Sequence, residues 1–300
     1  MQLEALKVFC DVVESQSFSK AAVLNFVSQS AVSQQIRSLE DKYEHKLIER
    51  GKRNLAPTQA GQILYQAAKG VLGRLEEMEI ELQRLSKRVL GTVRVATIYS
   101  VGLHELHAYV TDFMRRYPDV RVRIEYHRAN RIYDQVVGNL TDIGIVAYPA
   151  RRSGIRILPF REDELALVCP PEHPLARQKR TELRHLAGHP FVMFERNLPT
   201  RRAVERILRE ADVRPQVAME FDNIETIKRA VEIGAGISIL PRATVEREVS
   251  LGTLAVVRFA RGGHMRPLGI LIKRARQMPP AVNYFIELLQ GEPPEPSPPK

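Results

Sequence analysis

From Leu64 to Val89 the apolar residues Leu64, Ala68, Val71, Leu75, Met78, Leu82, Leu85 and Val89 recur at spacings of 4, 3, 4, 3, 4, 3 and 4. A seam of that period predicts one long helix, from an N-cap at Thr58 to about Val89 and ended by Gly91. At 1.5 Å per residue it spans roughly 45 Å. Such a helix can lie along its own domain or pair with a second copy of itself. A seam so long and thin favours a partner helix, so dimerisation is expected. Whatever it packs on, the helix divides the chain into a part before it and a part after it.

The part before reads as short helices and tight turns. In LEALKVFCDVVES the apolar residues follow a period near 3.6. Ser17 or Ser19 can cap a short helix from Lys20 to Leu24, and the paired Ala21 and Ala22 allow another helix to approach closely. After a bend at 25–27, Ser28 caps a third helix running to about Lys42. One side carries Val32, Ile36, Leu39 and Tyr43, the other Gln29, Ser30, Ser33, Gln34 and Arg37. Residues 47–57 then look like a β-hairpin with a basic tip, Arg50, Lys52 and Arg53.

Beyond Gly91 the texture changes. Strand-like runs VRVAT (93–97), VRVRIEY (120–126), IGIVA (143–147), LALVC (165–169) and FVMF (191–194) alternate with helical stretches, the first marked by Leu103, Leu106, Val110 and Phe113. This rhythm indicates an α/β fold. The last ten residues hold five prolines and read as a disordered tail.

Composition narrows the class. Of 300 residues 44% are hydrophobic and 27% charged, ordinary for a globular chain with a sizeable core. No stretch approaches the ~18 apolar residues of a membrane helix, and the N-terminus lacks the apolar run of a signal peptide. Cys10 and Cys169 are too few for a disulfide framework or a thiolate metal site, and a cytoplasmic location is the expectation. Residues 1–60 carry eight bases and seven acids and residues 61–91 five and four, so +8 of the net +10 lies beyond residue 91. Bulk charge therefore does not make the N-terminal part a DNA binder; particular residues must.

Those residues have suitable chemistry. Gln pairs bidentately with adenine, Arg with guanine, and Ser with either. A short helix and a three-residue bend ahead of such a face form a helix-turn-helix, and a basic hairpin tip suits phosphates or the minor groove. An ordinary solvated helix face and a solvated turn remain the alternative reading. Other signals are weaker. GAG (234–236) follows a helix and precedes a strand, the reverse of dinucleotide-binding order. His104, Glu105 and His107 lack a further metal ligand and read as a surface group, and Cys169 as a buried small hydrophobe.

FSKAA (18–22), VSQSAVSQQIRSLE (27–40), LIER (47–50), LAPTQAG (55–61) and NIETIKRAVEIGAGISILP (223–241) resemble the LysR-type transcriptional regulators, over nearly the whole chain except the proline-rich tail. The chain departs from the family at Ser30 and Gln34, where Pro and Arg are frequent.

The resemblance implies an α + α/β protein. A winged helix-turn-helix would occupy 1–58, a linker and dimerisation helix 59–91, and a periplasmic-binding-protein-like effector domain 92–290. Subdomain I would cover about 92–161 and 267–290 and subdomain II about 162–266, with crossings near 160–164 and 264–268. A tail would fill 291–300. It implies that Gln29, Ser33 and Gln34 read bases, and that the protein is a homodimer, commonly a dimer of dimers, on an interrupted palindrome in double-stranded DNA. RNA polymerase would be a further partner, with no enzyme activity, no cofactor and no membrane. A small-molecule effector would sit between the subdomains, near Thr97, Tyr99, Ser100, Arg128, Asn130, Thr200, Arg201, Asn223 and Ile224, although each of these residues also suits a purely structural cap or turn. Arg128, Arg196, Arg201 and Arg202 near those loops suggest an anionic effector. The competing expectation is a ligand-binding or catalytic α/β protein whose N-terminal helices serve only assembly.

Overall fold

The computed structural model describes residues 3–50, 55–85, 88–260, 262–274 and 276–291. The chain forms two compact units, Met1–Lys87 and Arg88–Lys300.

In the first unit, α1 (Leu3–Ser15), α2 (Phe18–Leu24) and α3 (Gln29–Tyr43) are followed by the strands β1 (Ile48–Arg50) and β2 (Leu55–Pro57) and by α4 (Gln59–Leu85). Ser17 caps α2 by accepting Lys20 N–H at 3.2 Å, so the helix starts earlier than the expected Lys20. Ala21 and Ala22 are buried, and their small side chains let α2 seat against its neighbours. The turn closes with Asn25 Nδ2 donating to Asp11 Oδ2 at 2.7 Å and with Phe26 at φ 54°. Ser28 then accepts Ala31 N–H at 3.1 Å and starts α3. Val32, Ile36 and Leu39 point into the core with Leu6, Phe9 and Leu47. Tyr43, expected inside, is 37% exposed, because α3 ends there in a left-handed Glu44 that turns the chain away.

The strands pair antiparallel, Ile48 opposite Pro57 and Arg50 opposite Leu55. What fixes this hairpin to α3 is Glu40, buried despite its charge. Its Oε1 accepts the Leu47 and Ile48 N–H groups at 2.9 and 3.4 Å, and Lys46 Nζ lies 2.9 Å from Oε2. Burial alone would raise this carboxyl, but the Lys46 ammonium and the two backbone donors outweigh it and hold the group below its ordinary range. The hairpin tip 51–54, with Lys52 and Arg53, lies outside the described residues, as do the Arg50 and Leu85 side chains and residues 292–300.

The long helix corrects the seam. Thr58 caps it, accepting Gly61 N–H at 2.9 Å. Ala68 is 1% exposed and sits in the core of its own unit, with Leu64, Tyr65 and Leu72 beside it, so Leu64 and Ala68 face inward rather than toward a partner. Glu14 of α1 ties this half down, accepting from Tyr65 Oη at 2.9 Å and Lys69 Nζ at 2.8 Å. Val71, Met78 and Leu82 are exposed and Leu75 half-buried. Val89 is not helical at all: it packs on a core of the second unit, and Gly91 opens a strand instead of ending a helix.

The second unit runs β3 (Gly91–Thr97), α5 (Tyr99–His104), α6 (Leu106–Arg116), β4 (Val120–Tyr126), α7 (Ala129–Val137), β5 (Ile143–Ala147), β6 (Ile155–Cys169) and β7 (Arg180–Thr181). It continues through β8 (Pro190–Phe194), α8 (Pro199–Glu210), β9 (Gln216–Phe221), α9 (Ile224–Glu232), β10 (Ser238–Pro241), α10 (Glu246–Leu251), β11 (Ala255–Phe259), β12 (His264–Lys273) and α11 (Pro280–Gln290). The first expected helix is broken at Glu105 into α5 and α6, and the strand expected at 165–169 is the end of the fifteen-residue β6.

Two lobes result, each with its own core. In the first, β3 pairs in parallel with β4 and β5, and α6 and α11 bury Phe113 and Phe285 against Val95, Ile145 and Ile270. In the second, β8 pairs in parallel with β9, and α8 and α9 cover Val192 and Met193 from two clusters. A strand buried on both faces reads as an unbroken apolar run, which is why FVMF stands out in the sequence. Among the described residues, β6 is the strand that packs in both lobes, and β12 runs beside it from one to the other. They pair antiparallel from Ile155–Lys273 to Leu165–His264, with a register shift between Pro267 and Gly269. Residues 160–164 and 264–268, where the resemblance implied crossings, lie on these strands.

Replacing Glu40 by Ala leaves two buried N–H groups without their acceptor and should cost about 1–3 kcal/mol, with Glu40→Gln losing less. Because the carboxyl is held low, its contribution is present at neutral pH and fades as pH falls through the lowered value. Hydrogen exchange at the Leu47 and Ile48 amides of the full chain measures both effects. Unchanged protection in Glu40→Ala would show that the hairpin is held by other contacts.

Candidate functional site

In the first unit, the face of α3 expected to read bases is open. Gln29, Ser30, Gln34 and Arg37 are exposed and Ser33 half-buried. Gln29 Oε1 accepts from Ser19 Oγ at 3.2 Å, and Ser30 Oγ lies 2.8 Å from Ser28 Oγ, so both are steadied from the turn. Gln34 and Arg37 have no side-chain partner among the described residues, which leaves their full donor and acceptor sets free. The turn presents Phe26, 89% exposed, and the end of α2 presents Val23, 75% exposed. Sequence periodicity did not single out this apolar pair, because Phe26 lies in the bend and the seven residues of α2 are too few to define a face.

In the second unit, a cavity of about 70 Å³ lies between the lobes. Tyr99 and Ser100 reach it from the segment after β3, Arg128 from the start of α7, Thr200 from the start of α8, and Asn223 and Ile224 from the start of α9. The structure adds His127, Phe194, Asp222 and Arg266 to this wall. The N-termini of α8 and α9 both open onto it, and their dipoles favour negative charge there.

Three expected contacts are placed elsewhere. Thr97 is fully buried at the end of β3, its hydroxyl directed to Ile98 O at 3.4 Å. Asn130 borders a second, larger cavity and accepts from Arg152 Nη2 at 3.2 Å. Arg201 is 2% exposed, because its donors are engaged inside: Nε to Glu205 and Nη1 to Glu220, each at 2.8 Å, and Nη1 to Phe194 O at 2.6 Å. It locks α8 onto β8 and β9 and does not line the cavity. Asn223 both lines the cavity and caps α9, accepting Thr226 N–H at 3.0 Å.

The ion pairs around the cavity escaped the sequence reading because their partners are far apart in the chain. Arg266 of β12 is 1% exposed and donates to the Asp163 carboxylate of β6 and, at 3.1 Å, to Ser100 Oγ. Two further pairs join the lobes directly. Arg128 lies 2.9 Å from Asp222 and 3.2 Å from Glu195, and His104 Nε2 lies 2.8 Å from Glu225. The Arg128 guanidinium holds Asp222 below its ordinary range. His104, expected on the surface, is thus a partner across the cleft. Behind the cleft Arg161 pairs with the buried Glu105, whose carboxyl is pushed up by burial and by Asp163. Cys10 and Cys169 are buried, which raises their thiols to about 12 and about 11 and keeps them protonated. Among the described residues no group of three or more His, Cys, Asp or Glu is placed to hold a metal ion. Nor is any helix there long and apolar enough to cross a membrane.

A helix-turn-helix with an open polar recognition face, followed by a two-lobed α/β unit with a cavity between the lobes, defines a ligand-responsive regulator of transcription. Residues 3–62 match the family model described as bacterial regulatory helix-turn-helix protein, lysR family, and residues 86–293 that of the LysR substrate binding domain. The chain belongs to the LysR family of transcriptional regulators. It is 31% identical to the HTH-type transcriptional regulator YeiE of Escherichia coli K12, over 95% of this chain and 96% of that one. It is 30% identical to the HTH-type transcriptional activator CmpR of Synechocystis, over 96% and 94%. In fold it is similar to a full-length OxyR variant of Pseudomonas aeruginosa, with a TM-score of 0.75 at 21% identity over 100% and 99% of the two chains. It is also similar to CbnR complexed with its target DNA, with a TM-score of 0.60 at 21% identity over 96% and 98%. Members of this family bind DNA and small-molecule effectors and form oligomers; it is a family of regulators, not of enzymes.

Removing Arg266 alone leaves Asp163 buried without its partner. Arg266→Met should therefore lower stability by about 3–5 kcal/mol, and Arg266→Met combined with Asp163→Leu should recover most of it. Denaturant titration of the full chain tests both. A loss below about 1 kcal/mol in the single variant would mean the pair behaves like a solvated surface bridge.

Proposed function

We propose that this chain is a cytoplasmic, homo-oligomeric regulator that reads an interrupted palindrome with α3 and changes its grip on DNA when a small anion enters the cavity between the lobes. The observation that carries the DNA reading is the pair Gln34 and Arg37, exposed on α3 and free of internal partners. Gln34 reads adenine, Arg37 contacts guanine or phosphate, and Gln29, Ser30 and Ser33 fill the same groove. Arg50, Lys52 and Arg53 hold the flanking phosphates. Val71, Leu75, Met78 and Leu82 form the face that pairs two copies, since that stripe is what the unit's own core leaves uncovered. Two such dimers assemble on the promoter, where they contact RNA polymerase, and the chain carries out no catalysis.

The effector is an anion of few atoms. Support comes from the two helix N-termini that open onto the cavity and from a volume of about 70 Å³, well below the roughly 300 Å³ at which ordinary small-molecule sites begin. Ser100 and Thr200 offer hydroxyls, and Tyr99 and Ile224 close the walls. A larger effector would need the Arg128 and His104 pairs to part. Either way the ligand changes how the lobes meet, and the coupling to DNA is of the usual size, about 1–3 kcal/mol.

A footprint on the DNA upstream of the protein's own gene, with random duplex as competitor, supplies the operator. Gln34→Ala should then cost about 1–3 kcal/mol on that operator and little on random duplex. Equal losses on both would remove Gln34 from the base readers. Met78→Lys with Leu82→Lys should convert the assembly to smaller species in sedimentation and abolish cooperative protection of both half-sites. An unchanged sedimentation coefficient would place the dimer contact elsewhere.

A further inference from the structure

The larger cavity, of about 450 Å³, is built from the start of α7, the segment after β5 and one face of α8. Its chemistry is one-sided. Arg202, Arg206 and Arg209 fall at i, i+4 and i+7 of α8 and all border it, while Val204, Ile207 and Leu208 bury the helix's other side. Arg152 joins them from the segment after β5. Its guanidinium is 4.5 Å from the centre of the Tyr133 ring, steadied by Asn130 at 3.2 Å and Asp134 at 3.3 Å. The carboxylates nearby are weak counterions. Asp134 is 76% exposed, and Glu210 lies 4.0 Å from Arg206 and is 67% exposed. Arg202 and Arg209 make no ion pair among the described residues.

Like charges a helical turn apart destabilise a helix, so a solvent-facing row of three arginines around a concave space is unfavourable until something neutralises it. Arginine is also the cation whose planar fork matches phosphate and carboxylate oxygens two at a time. Tyr148 adds an independent mark. It borders the cavity in the left-handed backbone region, φ 50°, with its N–H donated to Pro267 O at 2.8 Å on β12. Strained non-glycine backbone of this kind gathers at ligand sites. Its half-buried hydroxyl is raised by burial, against Arg266 and Arg206, and so remains a proton donor.

We propose that this cavity is a second ligand site, for a small polyanion carrying two or more phosphate or carboxylate groups, separate from the small anion of the inner cavity. A volume of about 450 Å³ lies within the ordinary range for small-molecule sites. The inner and outer cavities share Ala129, Ala147 and Pro199 as walls, so a polyanion that draws α8 toward Arg152 also sets the shape of the inner one. The proposal does not depend on which DNA the protein reads.

Calorimetry on the full chain at matched ionic strength tests it, with pyrophosphate and citrate as probes and inorganic phosphate as the monomeric control. At least one probe should bind about tenfold or more tightly than phosphate, and which one does so identifies the head group. Arg206→Gln and Arg152→Gln should each weaken that binding about tenfold. Arg247→Gln, which removes an exposed charge outside the cavity, should leave it unchanged. Without ligand, Arg206→Gln should melt at or above the parent's temperature, because it relieves repulsion in the helix. Equal binding of phosphate and both probes would overturn the proposal, as would equal weakening by Arg247→Gln. So would a loss of random-duplex affinity in Arg206→Gln without any polyanion, which would make this face a DNA contact. Failure of the α3 reading would instead appear in Gln34→Ala, with the calorimetry unaffected.

Discussion

The second unit depends on the antiparallel pair β6 and β12, because β6 packs in both cores and β12, whose buried apolar residues lie in the first, runs alongside it from one lobe to the next. Leu158 and Phe160 of β6 pack on the first lobe and Leu165, Leu167 and Cys169 on the second. Between them the ladder slips at Pro267–Gly269, where Pro cannot donate a ladder hydrogen bond and a Cβ on Gly269 would lie 2.7 Å from Pro149 Cγ. The irregularity thus falls in the stretch of the ladder that runs between the two lobes. Arg266 and Asp163 face each other across that stretch, and Arg266 reaches on to Ser100 at the cavity wall. Any change at Ser100 therefore reaches the Arg266–Asp163 pair through one hydrogen bond.

The first unit solves a different problem, holding one helix by its ends so that its polar face stays unoccupied. Ser28 secures the start of α3, and Glu40 secures its far end to the hairpin. Neither contact uses the residues of the outward face. Burying a carboxylate is costly, and Glu40 is tolerable only because two N–H groups and Lys46 converge on it. The same arrangement holds the hairpin strands against the helix that would enter a groove.

Local patterns were legible where one residue type answers one local need. The caps at Ser17, Ser28 and Thr58, the turn at 25–27 and the strands at 120–126 and 143–147 could be read from spacing alone, since capping and pleating act over a few residues. The long seam misled because a heptad pattern records that one side of a helix is apolar without saying what covers it. Ala68 is covered by its own unit's core and Val71 is not. Val89 continued the count by coincidence, as part of another core. At the cavity, the residues beside helix starts were legible through their caps and loops, whereas Arg266, Asp163, His104 and Glu225 were not. Their partners lie 103 and 121 residues apart, and only the closed fold brings them together.

Arginine shows most clearly where sequence reading stops. Of the net charge of +10, +8 lies beyond residue 91, outside the unit that holds the polar face of α3. On α8, Arg201 and Arg202 are neighbours with opposite roles. One is buried, with its donors engaged by Glu205, Glu220 and Phe194 O, and holds the helix to the sheet. The other stands at the edge of a cavity without a counterion among the described residues. A helical rotation of about 100° per residue decides between them. Neighbouring positions of one helix thus carry the same side chain in two environments, and only the packed fold separates a guanidinium that holds the helix from one open to solvent.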